Sequence, residues 1–532
     1  MNNHPWWQHG VIYQIYPRSF SDSNADGIGD LPGIINRLDY LADLGVDALW
    51  LSPFYPTPDK DFGYDISDYC NVDPRFGTLA DFDTLVSEAH RRGLRIIIDM
   101  VMNHTSDQHP WFLESRSSRE NPKRDWYIWR DQPNNWAACF GGSTWEYDPH
   151  TGQYYLHLFT REQPDVNWRN PQVRQAQLDA FRFWMERGAD GFRLDVFNAY
   201  FKHPDFPNNP PRLGLRRFDR QKHIFDMDQP EMIPLLQELR ALLDSYPERY
   251  AVGETYLGTA QKAASYCGPD KLHAAFSFDF TSADTSFLGL PRFPFHPDWI
   301  ARRIAHRDSV FDAAGVWPTT VMSNHDLPRA ASRYSRSEDD SLPKIAMTIL
   351  LTVRGTPFLY QGEEIAMRDL PLRKEDVQDP AGKPYWPFYK GRDGCRSPMQ
   401  WDDSPNAGFS SAKPWLRVHP NYRQRNVAAQ QAAPASMLNF TKALLVLRKQ
   451  HPALRTGKFL PILAAGPLLA YLRQDETETI LVAMNFSRRT QTLPLPSGLA
   501  LQQRLLTSAA APLAISAQTL PLAPYESALW LC

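Results

Sequence analysis

Arg193 and Asp195 stand two positions apart in the otherwise apolar stretch GFRLDVFN, residues 191–198. Phe192, Leu194 and Val196 alternate with them, the period-two pattern of a β-strand, so both charges fall on one strand face. An unpaired charge inside a core is costly, and a lone R-x-D reads as a structural ion pair. Three other apolar runs end in acidic residues. LRIIIDM carries Asp99, YAVGE ends in Glu254, and WPTTVMSNHD ends in His325 and Asp326. Each alone reads as a helix cap or a loop charge. Carboxyls brought to one rim repel and raise each other's pKa, and such crowding persists where a reaction uses it.

The elements that must bring them together are legible in outline. VIYQIYP (11–17) reads as a strand and leads to LPGIINRLDYLADLG, where Ile34, Leu38, Leu41 and Leu44 mark one helical face. DALWLSP (47–53) is the next strand. Thr78 is placed to cap a helix with Phe82, Leu85, Val86 and Ala89 on one side and Gly93 at its stop. LRIIIDMV follows, apolar on both faces like a parallel strand covered by helices. The alternation lapses between about 104 and 167, in a stretch rich in Trp, Asn, Pro and Gly that reads as an inserted subdomain. It resumes with DGFRLDV (190–196), YAVGE (250–254), AAFSFDF (274–280), WPTTVMSNHD (317–326) and GTPFLYQGEE (355–364). Eight β-then-α units predict an α/β fold, a closed (β/α)8 barrel with chemistry at the C-terminal strand ends. Division of the chain follows: barrel over 1–103 and 168–455, insertion over 104–167, and a small antiparallel β-domain over 456–532, with strands such as LLAYLRQ, TILVAMNF and SALWLC.

Composition narrows the partners. The 532 residues are 42% hydrophobic and carry a net charge of −3 with no basic run, which argues against nucleic acid or an anionic membrane as partner. Sixteen Trp and twenty-two Tyr exceed what packing asks for and suit a ligand with flat apolar faces, such as a sugar ring. Five scattered cysteines with no C-x-x-C indicate neither a disulfide framework nor zinc. MNNHPWWQHG has no basic region followed by an apolar run, and no stretch approaches a membrane span, so the expectation is a cytoplasmic protein.

Several stretches together resemble the α-amylase superfamily (glycoside hydrolase family 13), in its α-glucosidase and oligo-1,6-glucosidase branch. DMVMNHTS (99–106), GFRLDVFN (191–198), GETY (253–256) and SNHD (323–326) are similar to the four short regions that define the family, in order and at the expected strands. QPDVNW (163–168) resembles a further motif at the end of the insertion, and GRDGCRSPMQW (391–401) the loop after the eighth strand. The likeness runs from about residue 5 to 450.

The resemblance implies that Asp195 is a nucleophile, Glu254 a general acid/base, and Asp326 a third carboxylate that binds the sugar and stabilises charge. Retaining cleavage of an acetal needs a carboxylate to attack the anomeric carbon and an acid to protonate the leaving oxygen. Arg193 is then expected to keep Asp195 ionised by lowering its pKa. Tyr64 and Asp65 in FGYDISDY resemble the family's glucose-binding pair, His104 and His325 fit neutral partners of sugar hydroxyls, and Phe159 fits a pocket wall. Arg396 is expected to pair with Asp65 and close the pocket behind one glucose, which implies exo-action at a non-reducing end. The implied substrate is a short α-glucoside of the maltose or isomaltose type, with glucosyl transfer alongside hydrolysis and no organic cofactor. Sucrose- or trehalose-isomerising relatives share the same three carboxylates, and non-enzymatic transporter-associated chains lose them. Val196, directly after the nucleophile position, resembles the 1,6-acting enzymes, a difference on the order of 1–3 kcal/mol that leaves the linkage open.

DSNADGIGD (22–30) offers Asp22, Asn24, Asp26 and Asp30, with a carbonyl from Ile28, at the spacing of the first nine positions of a calcium loop. Position 12 is Gly33, so the bidentate glutamate is missing. The resemblance to the branch's metal loop implies a structural Ca²⁺ or Mg²⁺.

Overall fold

A computed structural model describes residues 4–278, 295–335, 337–510, 513–516 and 518–532. Its first strands are β1 (Ile12–Ile15), β2 (Ala48–Leu51) and β3 (Arg95–Met100). Three short strands follow, β4 (Trp129–Arg130), β5 (Trp145–Asp148) and β6 (Gln153–Leu156), and then β7 (Gly191–Leu194), β8 (Tyr250–Glu254), β9 (Ala274–Phe276), β10 (Thr319–Val321) and β11 (Thr356–Tyr360). β1, β2, β3, β7, β8, β9, β10 and β11 form one sheet in the order β10-β11-β1-β2-β3-β7-β8-β9, every neighbouring pair parallel. The two ends of that order meet, since Thr319 Oγ1 in β10 donates to the Ala275 carbonyl in β9 at 3.2 Å. The eight expected strands thus form the (β/α)8 barrel; the last two residues of AAFSFDF lie outside the described residues.

Local chemistry explains the helices between them. Thr78 caps the helix Leu79–Arg91 in a reciprocal box with Asp81, and Phe82, Leu85, Val86 and Ala89 are its buried face. The stretch after β1 departs from expectation. Instead of one helix it forms two, Leu31–Ile35 and Leu38–Leu44, broken at Asn36 and Arg37. Ile34, Leu38, Leu41 and Leu44 are buried all the same, so the apolar face survives the break.

β4, β5 and β6 make a small antiparallel sheet between β3 and β7; bridges from His104 to Asp165 and from Tyr127 to Val166 close the insertion, and the Val166 N–H donates to the Asn103 carbonyl at 3.0 Å to tie it to the barrel. After the helix Met437–Gln450 come β12 (Lys458–Ala465), β13 (Leu468–Gln474), β14 (Thr479–Asn485), β15 (Gln491–Pro494), β16 (Gln503–Thr507), β17 (Thr519–Leu522) and β18 (Ser527–Leu531). They form antiparallel sheets, β12-β13-β14-β18-β16 and β15-β17. Tyr471 on β13 meets the Thr352 hydroxyl at 2.6 Å, and Arg473 donates to the Leu454 carbonyl at 3.2 Å, fixing these sheets against the barrel.

Gly253 shows how tightly one site-bearing strand is packed. A Cβ there would run into the Phe197 ring and come within 2.6 Å of Leu272 Cδ1. Gly253→Ala should therefore cost about 1–3 kcal/mol by overpacking and lower kcat, because Glu254 is the next residue. Urea midpoints and turnover rates of the variant check this; unchanged values would contradict it.

Candidate active site

Asp99 is the penultimate residue of β3, Asp195 lies directly after β7, Glu254 at the end of β8, and His325 with Asp326 on the loop after β10. The register aligns them. Asp99 faces Arg193 across β3 and β7, and Leu194 faces Gly253 across β7 and β8, so Asp195 comes abreast of Glu254. Arg193 is 1% exposed and answers three carboxyls at once. Its Nη1 donates to Asp99 Oδ1 and to Asp195 Oδ1, both at 2.7 Å, and its Nη2 donates to Glu254 Oε2. The Trp50 ring, 5.3 Å from the guanidinium carbon, supports it from the barrel interior. Val196, after Asp195, takes the left-handed conformation at φ 35°, costly for a β-branched residue, and its N–H donates to Glu254 Oε2 at 3.4 Å.

Three acids and one cation leave negative charge uncompensated, and the protonation states follow. Burial raises the pKa of Asp195, and Arg193, which opposes burial, is outweighed once Glu254, Asp99 and Asp326 add their repulsion. The expected lowering of Asp195 by Arg193 is thus corrected: the arginine limits the rise without reversing it. Burial also raises Glu254, and pushes Asp99 up to about 6. The three titrate as a unit that holds protons above the usual carboxylate range. Asp326 goes the other way. Burial would raise it, but His325, Arg392 and Arg396 outweigh that and hold it well below the usual range. Since burial lowers His325 to about 3, the two guanidiniums are what keep Asp326 ionised at neutral pH.

His325 is held by a chain of hydrogen bonds. Gln14 Nε2 donates to its Nδ1 at 2.7 Å, which puts the ring proton on Nε2, 2.5 Å from the Tyr64 hydroxyl and 3.1 Å from Asp326 Oδ2. Tyr64 in turn donates to Asp99 Oδ2 at 3.1 Å. His104, lowered by burial to about 4, donates from Nε2 to the Tyr64 carbonyl at 3.0 Å and accepts from Asn103 at 3.2 Å. Both histidines are neutral, as expected, with their nitrogens engaged by protein groups. Phe159 is buried against His104 at 5.2 Å, with Phe140 and Tyr256 beyond it.

The expected Asp65–Arg396 pair does not form. Asp65 is buried and accepts from Thr57 Oγ1 at 2.8 Å and from the Lys60 and Asp61 N–H groups at 2.9 and 3.0 Å, with burial raising it to about 6. It braces the loop that presents Asp61. Asp61 is the residue that meets an arginine, accepting from Arg392 Nη2 at 2.6 Å. Arg392 also reaches Asp326 at 3.2 Å, and Arg396 pairs with Asp326 at 2.9 Å while donating to the His325 carbonyl at 2.8 Å. Gln14, Asp61 and Arg392 were thus missed as contributors, and so was Gln163, whose Nε2 donates to Asp61 Oδ2 and to the Tyr64 carbonyl at 3.2 Å each. Asp61 directly precedes FGYDISDY, and Arg392 stands four residues before Arg396 inside GRDGCRSPMQW, but spacing alone does not say which arginine meets which aspartate.

Asp22, Asn24, Asp26, Ile28 and Asp30 sit on a separate loop. Asp22 accepts from the N–H groups of Asn24, Ala25 and Gly27, Asn24 from Asp26, and Asp26 from Ile28, at 2.8 to 3.0 Å. Asp30 caps the helix Leu31–Ile35 through Gly33 N–H at 2.6 Å and accepts from the Ser23 N–H and hydroxyl. That cap occupies the place where a calcium loop would continue to its glutamate. The donors are all oxygen, the set a hard cation takes, although among the described residues no three His, Cys, Asp or Glu side chains converge as a metal cluster.

Comparison with known proteins fits this geometry. Residues 14–457 match the model of the alpha amylase catalytic domain, and residues 468–529 that of the alpha-amylase SusG C-terminal domain. The chain belongs to the α-amylase family of glycoside hydrolases. Within this family it is 45% identical to a probable alpha-glucosidase of Rhizobium meliloti over 92% of this chain and 91% of that one. It is 43% identical to an oligo-1,6-glucosidase of Parageobacillus thermoglucosidasius over 92% of each. A crystal structure of an alpha-glucosyl transfer enzyme superposes with a TM-score of 0.93 at 42% identity, covering 99% of this chain and all of that one; a trehalulose synthase variant does so at 0.93 and 36%, with the same coverage.

For this family member the buried Arg193 gives a direct test. Arg193→Met leaves three carboxyls without their cation and should cost about 3–5 kcal/mol at pH 7.5. Because the folded-state pKa values of Asp99, Asp195 and Glu254 are raised, these groups take up protons as pH falls toward 5, and the uncompensated charge disappears. The deficit in urea unfolding should therefore shrink at pH 5. A deficit equal at both pH values would contradict the charge account.

Proposed function

We propose that the protein is a retaining, exo-acting α-glucosidase that removes glucose from the non-reducing end of short α-glucosides and transfers glucosyl units to other acceptors. The observation that carries this reading is the suspension of Asp195 and Glu254 from the two terminal nitrogens of one guanidinium. Adjacent strands run about 4.7–4.9 Å apart, which suits the roughly 5–5.5 Å separation of a retaining pair and not the 6.5–9.5 Å that leaves room for a water.

In this mechanism Glu254, whose pKa is raised by burial, gives its proton to the glycosidic oxygen as Asp195 attacks the anomeric carbon. Positive charge develops on the ring, and ionised Asp326 stabilises it from the far side. Water then enters, Glu254 takes its proton, and the glucosyl–Asp195 ester breaks with a second inversion. A sugar hydroxyl in place of water gives transfer. Arg193 lowers the proton affinity of all three carboxyls, which favours one carboxyl attacking while another donates. The Asp61–Arg392 pair, with Arg396 behind Asp326, closes the pocket beyond one glucose and supports exo-action. Tyr64, His104, His325 and Phe159 surround the ring.

Linkage is read from Val196, buried against Phe159, Ala199, Phe218 and Met227 as an apolar wall, together with the oligo-1,6-glucosidase relatives; isomaltose should be cleaved along with maltose. The likeness to a trehalulose synthase supports a second reading, isomerisation of sucrose, at lower identity than the hydrolases. The loop Asp22, Asn24, Asp26, Ile28 and Asp30 would hold Ca²⁺ or Mg²⁺, a charge that would draw its carboxylates together. All five cysteines are unpaired, which favours the cytoplasm. Among the described residues no helix is long and apolar enough to cross a membrane.

Anomeric NMR of early products from a nitrophenyl α-glucoside should show α-glucose before mutarotation; β-glucose first would overturn retention. Product analysis on sucrose should give glucose and fructose, and a rearranged disaccharide as main product would favour isomerisation. Chelation should lower the melting temperature and added Ca²⁺ restore it; a melting temperature indifferent to both would remove the metal.

A further inference from the structure

Asp379 belongs to none of the roles above, yet it is fully buried and holds Arg392 at three points. Its Oδ2 accepts from the Arg392 backbone N–H at 2.6 Å and from Nε at 2.9 Å, and its Oδ1 accepts from Nη2 at 2.8 Å. One carboxylate thus fixes both the root and one edge of the guanidinium. The remaining hydrogens point away from it, to Asp61 at 2.6 Å and Asp326 at 3.2 Å.

The surroundings make this anchor rigid. Asp393 Oδ2 accepts from the Gln378 and Asp379 N–H groups at 2.6 and 2.9 Å, tying the chain before Arg392 to the residue after it. Gly391 has φ 74°, and a Cβ there would lie 2.7 Å from Asp379 Oδ2, so only glycine lets the backbone approach so closely. Burial would raise Asp379, but Arg392 outweighs it and keeps the carboxyl ionised. An arginine side chain left free would lose this orientation to rotamer entropy.

We propose that Asp379 is a positioning residue that sets the Arg392 guanidinium and through it closes the pocket at the non-reducing end of the sugar. The inference rests on the reading of Asp61–Arg392 as the pocket's closure. With the anchor weakened, Arg392 swings between Asp61 and Asp326, and the wall opens while Asp195 and Glu254 stay in place. Binding of the terminal glucose then suffers more than turnover, and a chain extending past that glucose gains entry.

The test uses the full-length protein, a nitrophenyl α-glucoside, and a nitrophenyl α-maltoside whose terminal glucose is blocked at its 4- and 6-hydroxyls. Asp379→Asn should raise KM for the glucoside about tenfold with kcat within about threefold, the pattern of lost ground-state binding. It should also cleave the blocked maltoside at least tenfold faster than the parent. Asp61→Asn removes the closure directly and should gain the same activity. A gain from Asp61→Asn without one from Asp379→Asn overturns this inference and leaves the pocket reading standing; no gain from either overturns both. A fall in kcat at constant KM, the mark of a merely structural aspartate, also overturns it. If Asp379→Asn does not fold, Asp379→Glu keeps the charge and displaces the carboxylate by one methylene, and the same comparison is read there.

Discussion

A guanidinium in the middle of a barrel is the constraint on which the rest depends. Arg193 is 1% exposed, and a buried cation of this kind is tolerated only with partners of opposite charge. β3, β7 and β8 each deliver one, because parallel registration places Asp99, Asp195 and Glu254 around the same fork. Neither side is stable without the other: the acids need the cation to remain buried, and the cation needs the acids. The outcome is a proton-sharing unit, prepared before any sugar arrives.

The second feature is a division of labour among carboxyls by environment. Asp99, Asp195 and Glu254 share one arginine and are raised, whereas Asp326 has Arg392 and Arg396 beside it and stays ionised. Groups of one chemical type are thereby separated into proton carriers and a fixed charge. Arg392 links this to recognition, since the same guanidinium that keeps Asp326 charged also reaches Asp61 across the pocket.

Much of this was legible in the sequence because it is local. Period-two strands, the Thr78 cap and the acidic residues at strand ends all come from neighbours within a few positions. The misreadings involve contacts across long separations. DFGYD holds two aspartates and GRDGCR two arginines, and only the folded loops show that Asp61 meets Arg392 while Asp65 braces its own turn. The single helix expected over LPGIINRLDYLADLG breaks at Asn36 and Arg37, which the preserved apolar spacing conceals. The lowering expected for Asp195 failed for a related reason: the pairing with Arg193 is near in sequence, but the competing acids that join burial in outweighing it come from β3, β8 and the loop after β10.

The central claim is that Asp195 bonds to the sugar. It is tested most directly by trapping the glucosyl-enzyme with a slow-turnover fluorinated α-glucosyl donor and mapping the added mass by peptide mass spectrometry. The account predicts one label, on Asp195, in the intact protein and none in Asp195→Asn. A label on Glu254 or Asp326, or no covalent label while the donor is still hydrolysed, would contradict it.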